Sequence, residues 1–146
     1  MAAAPTTARI GSSGVTDHPI DTARLLAEVD DPAAGAVATF AGIVRNHDHG
    51  RAVTSIDYLG HPTASDVMAQ VVAEFAGRQG VHAISAEHRV GSLVVGDVAL
   101  YVAVAASHRG QAFAAVSELV DEVKARLPIW KKQYLADGSH EWSECP

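Results

Sequence analysis

The stretch RLPIWKKQYL, residues 126–135, decides the fold. The segment before it, GQAFAAVSELVDEVKARL, repeats apolar residues at helical spacing: Phe113, Val116, Val120, Val123 and Leu127 form one stripe. Pro128 ends that helix, because the residue before a proline is disfavoured in the helical region. Beyond it the chain alternates. Ile129, Lys131 and Gln133 share one face of a strand, and Trp130, Lys132 and Tyr134 share the other. A long helix that passes directly into a half-buried strand points to an α+β domain. The same stretch poses a chemical question. The chain has a formal net charge of -6 and only three lysines, Lys124, Lys131 and Lys132, all bracketing this proline.

Working outward, ADGS is read as a turn into a last short strand, HEWS. VHAISAEHRV and DVALYVAVAA read as strands with GSLVVG between them. HPTASDVMAQVVAEFAGRQG reads as a helix burying Met68, Val71, Val72 and Phe75, with Thr63 and Asp66 as a capping box and Gly77 and Gly80 as stop signals. GAVATFAGIV, residues 35–44, is apolar and β-branched and is expected to be a buried strand. RNHDHGR is a polar turn, and AVTSIDYLG is expected to pair with the previous strand as a long hairpin. DTARLLAEV is a short helix capped by Asp21. ARIGSSGV reads as an edge strand within an otherwise loose N-terminal tail. The expected architecture is α+β with a largely antiparallel sheet and three main helices. Residues 1–19 form the tail and edge strand, and residues 20–146 form a single domain.

A chain of 146 residues with 48% hydrophobic and 19% charged content suits one globular domain with a core of its own. No apolar run reaches the roughly 18 residues of a membrane span, and the start lacks the basic and apolar regions of a signal peptide. The single cysteine, Cys145, permits no internal disulfide, which fits a cytoplasmic location. The acidic balance argues against general nucleic-acid binding, which depends on many phosphate contacts. It leaves room for one local basic pocket.

Three places can build such a pocket. Lys124 lies on the boundary of the helix stripe, where its amine can reach a cleft; the bland alternative is a lysine stem snorkelling beside the core. The reversal at Pro128 can bring Lys131 back beside Lys124. Two amines held close disfavour each other's charged form, which makes a nucleophile or a base; alternatively Lys131 and Lys132 are ordinary edge-strand charges. In ASHRGQAF, His108 and Arg109 sit where a strand passes into a helix N-terminus, an arrangement equally suited to an anion site and to a solvated cap. Arg45 leaves the end of an apolar strand. His47, Asp48 and His49 supply only local ligands, and no HExxH or CxxC spacing is present, so no metal is expected. Nucleotide-binding and serine-nucleophile motifs are absent from the sequence.

Taken together, GAVATFAGIVRNH, EHRVGSLVVGDVAL, ASHRGQAF, VKARLPIWKKQ and a late Trp142 resemble, in order, the large catalytic subunits of molybdopterin synthase, the MoaE family. The resemblance implies an α/β-hammerhead architecture and a heterotetramer around a central homodimer. It implies transfer of sulfur to cyclic pyranopterin monophosphate from a thiocarboxylate on the C-terminal Gly-Gly of a small ubiquitin-like partner, with no cofactor. It implies Lys124 and Lys131 as catalytic residues. The substrate site it implies comprises Ile43, Val44, Arg45, His108, Arg109, Lys124, Lys131, Lys132 and Gln133. Gln133 stands where that family usually has Glu. Two rivals are a Schiff-base lysine enzyme acting through Lys124 and a non-enzymatic binding protein for a phosphorylated metabolite or a partner's tail.

Overall fold

The structure, a computed structural model, describes residues 7–144. In chain order its elements are β1 (Arg9–Thr16), α1 (Thr22–Glu28), β2 (Ala36–Ile43), β3 (His47–Asp48), β4 (Arg51–Gly60) and α2 (Ala64–Ala76). They continue with β5 (Val81–Arg89), β6 (Gly91–Val94), β7 (Val98–Ala106), α3 (Arg109–Arg126), β8 (Ile129–Leu135) and β9 (His140–Glu144). The class is α+β, as expected. Residues 1–6 of the expected tail and Cys145 lie outside the described residues.

The strands form two sheets where one was expected. The first has the order β1-β5-β7-β2, antiparallel apart from the β1–β5 pair. In the second, β4 and β8 are central, β9 flanks β8, and β3 and β6 both pair with β4. β7 explains the first sheet. Every residue from 99 to 106 is apolar and buried, which suits a strand covered on both faces. Leu100, Val102, Val104 and Ala106 belong to the large core that includes residues of α2 and α3; Tyr101, Ala103 and Ala105 pack with Leu25 and Val29 on the α1 side.

Several local expectations give way to this packing. The long hairpin does not form. β2 runs along β7 from Ala36↔Ala106 to Ile43↔Val98, and Val44 is then pinned to the β6–β7 turn by bonds with Asp97 and Gly96. β4 therefore leaves for the second sheet, and only the two-residue β3 pairs back with it. Its turn residues His49 and Gly50 have φ 49° and 76°, the left-handed pair that a two-residue hairpin loop requires. β2 is not the buried strand expected. It is an edge strand with one face uncovered, so Val37 and Ile43 stand about half exposed. GSLVVG is more than a connection, because its first four residues are β6. Thr63 caps α2 with backbone only, since its hydroxyl bonds His61 Nδ1 at 2.8 Å instead. On α3 the buried face turns toward Ala112, Ala115 and Leu119 and leaves Phe113 66% exposed. Small side chains there let the helix lie close against β2 and β7. The α2 stripe and the Asp21 cap, whose side chain accepts from the Arg24 N–H, stand as read.

α1 is locked to the first sheet by one carboxylate. Glu28 accepts from Ser12 N–H at 2.7 Å, Ser12 Oγ at 3.0 Å, Ser85 Oγ at 2.8 Å and Arg24 at 2.9 Å. Burial pushes this carboxyl up, but the bonds from the Ser12 N–H, Ser85, Ser12 Oγ and the Arg24 charge outweigh it, so it titrates below the usual range. Gly11 makes room for the cluster: a Cβ there would stand 2.5 Å from both Glu28 Oε2 and Ser85 Oγ. Gly11→Ala should accordingly lower stability by about 1–3 kcal/mol, the usual cost of overpacking. Urea denaturation checks this, and an unchanged midpoint would show that the cluster yields freely.

Candidate functional site

Between the two sheets lies a cleft of about 460 Å³. Its walls come from the end of β2, the loop through β3, the faces of β4 and β8, the start of β7 and the last turn of α3. The break at Pro128 shapes it. Leu127 leaves the helix with φ -70° and ψ 121°, and the Pro128 carbonyl accepts from the His61 N–H at 2.9 Å. β8 then returns along β4 in the register Lys131↔Tyr58 and Gln133↔Ile56. Lys124 at the helix end and Lys131 on the strand both line the cleft. Lys124 is solvent-exposed, beside the buried Val123, and Lys131 is half-buried.

Ile43, Val44 and Arg45 line the same cleft, as expected. Arg45 is largely exposed and donates to Asp48 Oδ1 at 3.3 Å. Gln133 is buried, and its Nε2 donates to Asp48 Oδ2 at 3.0 Å. The Asp48 carboxyl is held below the ordinary range chiefly by this Gln133 bond. Burial opposes the effect, and the charges of His49 and Lys131 and the Arg45 bond add to it.

Three expected members lie elsewhere. Lys132 projects from the opposite face of β8, with its ammonium 5.0 Å from the Tyr134 ring and 5.5 Å from the Trp142 ring. His108 and Arg109 are exposed at the start of α3, where Gln111 Oε1 accepts from the His108 N–H at 3.1 Å. At the rise of an α-helix, Arg109 stands about 22 Å along the axis from Lys124. A pocket holding His108, Arg109, Lys124 and Lys131 of the same chain is therefore excluded by the rigidity of α3. Among the described residues no group of three or more His, Cys, Asp or Glu side chains could hold a metal ion.

Sequence reasoning missed His88 and the structural part of Asp48. His88, on the cleft wall near the end of β5, is 3% exposed. Its Nδ1–H donates to the Arg89 carbonyl at 2.7 Å, and its ring meets that of Tyr58 edge-on at 5.2 Å. Burial lowers its pKa from 6.5 to about 4, against the raising effect of the Arg89 bond, and the Lys124 charge lowers it further. The available signal was alternation, which puts His88 on the same face of its strand as Ile84 and Ala86. Asp48 drew notice only as a weak metal ligand.

The family model for MoaE protein matches residues 15–126. The chain is 37% identical over 133 residues to the molybdopterin synthase catalytic subunit of a Nostoc species, covering 90% of this chain and 81% of that one. Its fold matches the crystal structure of molybdopterin synthase from Staphylococcus aureus with a TM-score of 0.82 and 29% identity, covering 90% of this chain and 96% of the other. A complex of subunits 1 and 2 of molybdopterin-converting factor from Helicobacter pylori shares the fold at a TM-score of 0.71 and 18% identity, covering 90% and 89%.

The buried imidazole has a consequence for stability. His88 binds a proton more readily in the unfolded chain than in the fold. Its contribution is fully present above about pH 6.5 and is lost as pH falls toward 4. The loss amounts to about 3 kcal/mol at most. His88→Gln should flatten the stability-against-pH curve across that window in chemical denaturation; an unaltered slope would mean that other groups carry the acid sensitivity.

Proposed function

This chain belongs to the MoaE protein family, and we propose on that premise that it is the catalytic subunit of a molybdopterin synthase acting in the cytoplasm. The observation that supports the reading best is the convergence of Lys124 and Lys131, from a helix end and a strand, on one cleft walled by Ile43, Val44 and Arg45. Among the described residues no helix is long and apolar enough to cross a membrane.

The substrate is cyclic pyranopterin monophosphate. The sulfur donor is a thiocarboxylate at the C-terminal Gly-Gly of a small ubiquitin-like carrier. Glycines suit a tail that threads a narrow cleft, because they carry no side chain and allow unusual backbone angles. The thiocarboxylate sulfur bonds to a pterin carbon in place of an oxygen that leaves as water. A water then cleaves the carrier's acyl C–S bond, so the sulfur stays on the pterin and the carrier leaves with a carboxylate. Lys124 moves protons during these steps. Lys131 stabilises the negative charge that develops. Arg45 meets the phosphate or the tail at the cleft mouth. His108 and Arg109 cannot reach the cleft of their own chain, so in the central homodimer they bind the phosphate in the cleft of the second copy, using the first turn of α3 together with the guanidinium. Lys132, packed over Tyr134 and Trp142 on the opposite face of β8, stands outside the cleft. Sulfur arrives already activated, so the reaction calls on no metal or cofactor.

Incubation with the pterin substrate and a thiocarboxylated carrier, read out as molybdopterin fluorescence after oxidation, tests the reading. Lys124→Ala should abolish product while leaving the melting temperature and dimer intact, since its amine stands outside the core. Near-normal turnover by the folded variant would remove Lys124 from the chemistry. Arg109→Ala should weaken substrate binding by about 1.5–3 kcal/mol, as loss of a charge-assisted hydrogen bond does, and the effect should shrink for an analogue without phosphate.

Co-expressing Lys124→Ala with Arg109→Ala tests the shared site. In a two-fold dimer each mixed pair holds one intact cleft, so about a quarter of full activity should return. Mixed dimers as inactive as either parent would show that each cleft is complete within one chain.

A further inference from the structure

We propose that Asp48 is the charge-setting carboxylate of the cleft, a positioning residue that holds Arg45 and the lysine strand through a paired carboxamide, Gln133. The inference rests on the sulfur-transfer reading above. Gln133 occupies a position where the family resemblance leads one to expect a carboxylate. In this chain that charge stands on the other side of a hydrogen bond, at Asp48.

The geometry supports the exchange. Gln133 is 4% exposed and spends its Nε2 on Asp48 at 3.0 Å, while its buried Oε1 has no hydrogen-bond partner among the described residues. One end of the amide is therefore committed to a carboxylate. Two carboxylates at this spacing would repel, and one would have to take up a proton. One acid and one amide is the stable composition of the pair, and the bond can form with the acid on either side. The bond also joins β3 to β8. The backbone holds β3 and its loop to β4 through His47↔Ala52, Asp48↔Arg51 and the Val53 N–H to Asn46 carbonyl bond, and Gln133 adds a side-chain tie from the Arg45 loop to the strand carrying Lys131.

The charged groups around Asp48 come from each neighbouring element. Arg45 precedes it and donates at 3.3 Å, and His49 follows it at 3.7 Å. Lys131 approaches from β8, and Glu141 of β9 lines the same cleft, paired with Arg51. An ionised Asp48 among these cations keeps Arg45 and Lys131 from repelling each other before the anionic substrate and tail arrive.

Reciprocal exchange tests the proposal. Asp48→Asn, Gln133→Glu and the double variant are assayed as dimers with thiocarboxylated carrier and pterin substrate, recording kcat and KM across pH together with melting temperature. Asp48→Asn should lower kcat roughly tenfold, the size of one charge-assisted hydrogen bond. Gln133→Glu should also lower it and move the acidic limb of the profile to higher pH, because the two carboxylates share a proton. The double variant should recover to within about threefold of the parent, since the interaction between contacting residues is not additive. Additive losses in the double variant overturn the inference, and so does a change in melting temperature with kcat and profile unmoved. Product from the parent protein and an unaltered Asp48→Asn overturn it alone; no product from the parent overturns the sulfur-transfer reading and this inference with it.

Discussion

At Leu127 the backbone swings from helical angles to φ -70° and ψ 121°, because the ring of Pro128 crowds the helical conformation of the residue before it. That one steric restriction turns α3 into β8 without an intervening loop. It sets the helix end carrying Lys124 against the strand carrying Lys131. It also delivers β8 into the middle of the second sheet, between β4 and β9, where alternation buries Ile129, Gln133 and Leu135 and sends Trp130 outward. Without the break the two amines would stand on one helix, about 10 Å apart along its axis, with no β8 strand to turn back beside β4.

The two sheets make the cleft by their disagreement. β7 is apolar throughout and must be covered on both faces, so α1 takes one side and α2 with α3 the other. β4 is half polar and pairs in the second sheet. Val44, pinned between Asp97 and Gly96, marks where the chain passes between them. The space left is lined by apolar strand ends and closed at its mouth by charged side chains. Of the acidic chain's few cations, Arg45, Lys124 and Lys131 gather there, with Asp48 among them. Concentrating positive charge in a partly desolvated cleft suits anionic ligands.

The length of α3 gives the assembly its part in the chemistry. A helix is a rod, and His108 with Arg109 lies at the end opposite Lys124. In the proposed reaction the phosphate and the sulfur-bearing tail are held by groups at the two ends of this rod, which only a second copy can bring together. On that proposal the dimer is part of the site itself, and the carrier's tail enters a pocket that neither chain would complete alone.

The sequence by itself determined much of this protein. Helix spacing, the Asp21 cap, the Met68–Val72–Phe75 stripe, the alternation of β8 and the stop at Pro128 are local properties, set by backbone sterics and side-chain period within a few residues. They were legible, and with them the convergence of Lys124 and Lys131. Tertiary structure decided what depends on partners far along the chain. Whether β2 pairs with β4 or β7 is a competition between ladders that no local pattern reports. Phe113 fits the helical stripe as well as Ala112 or Leu119 does, and only the close approach of the sheet selects the smaller side chains. The burial of His88, the bond from Gln133 to Asp48 and the separation of Arg109 from Lys124 all follow from three-dimensional placement. A sequence records which groups are available; distance, desolvation and hydrogen bonding decide which of them act together.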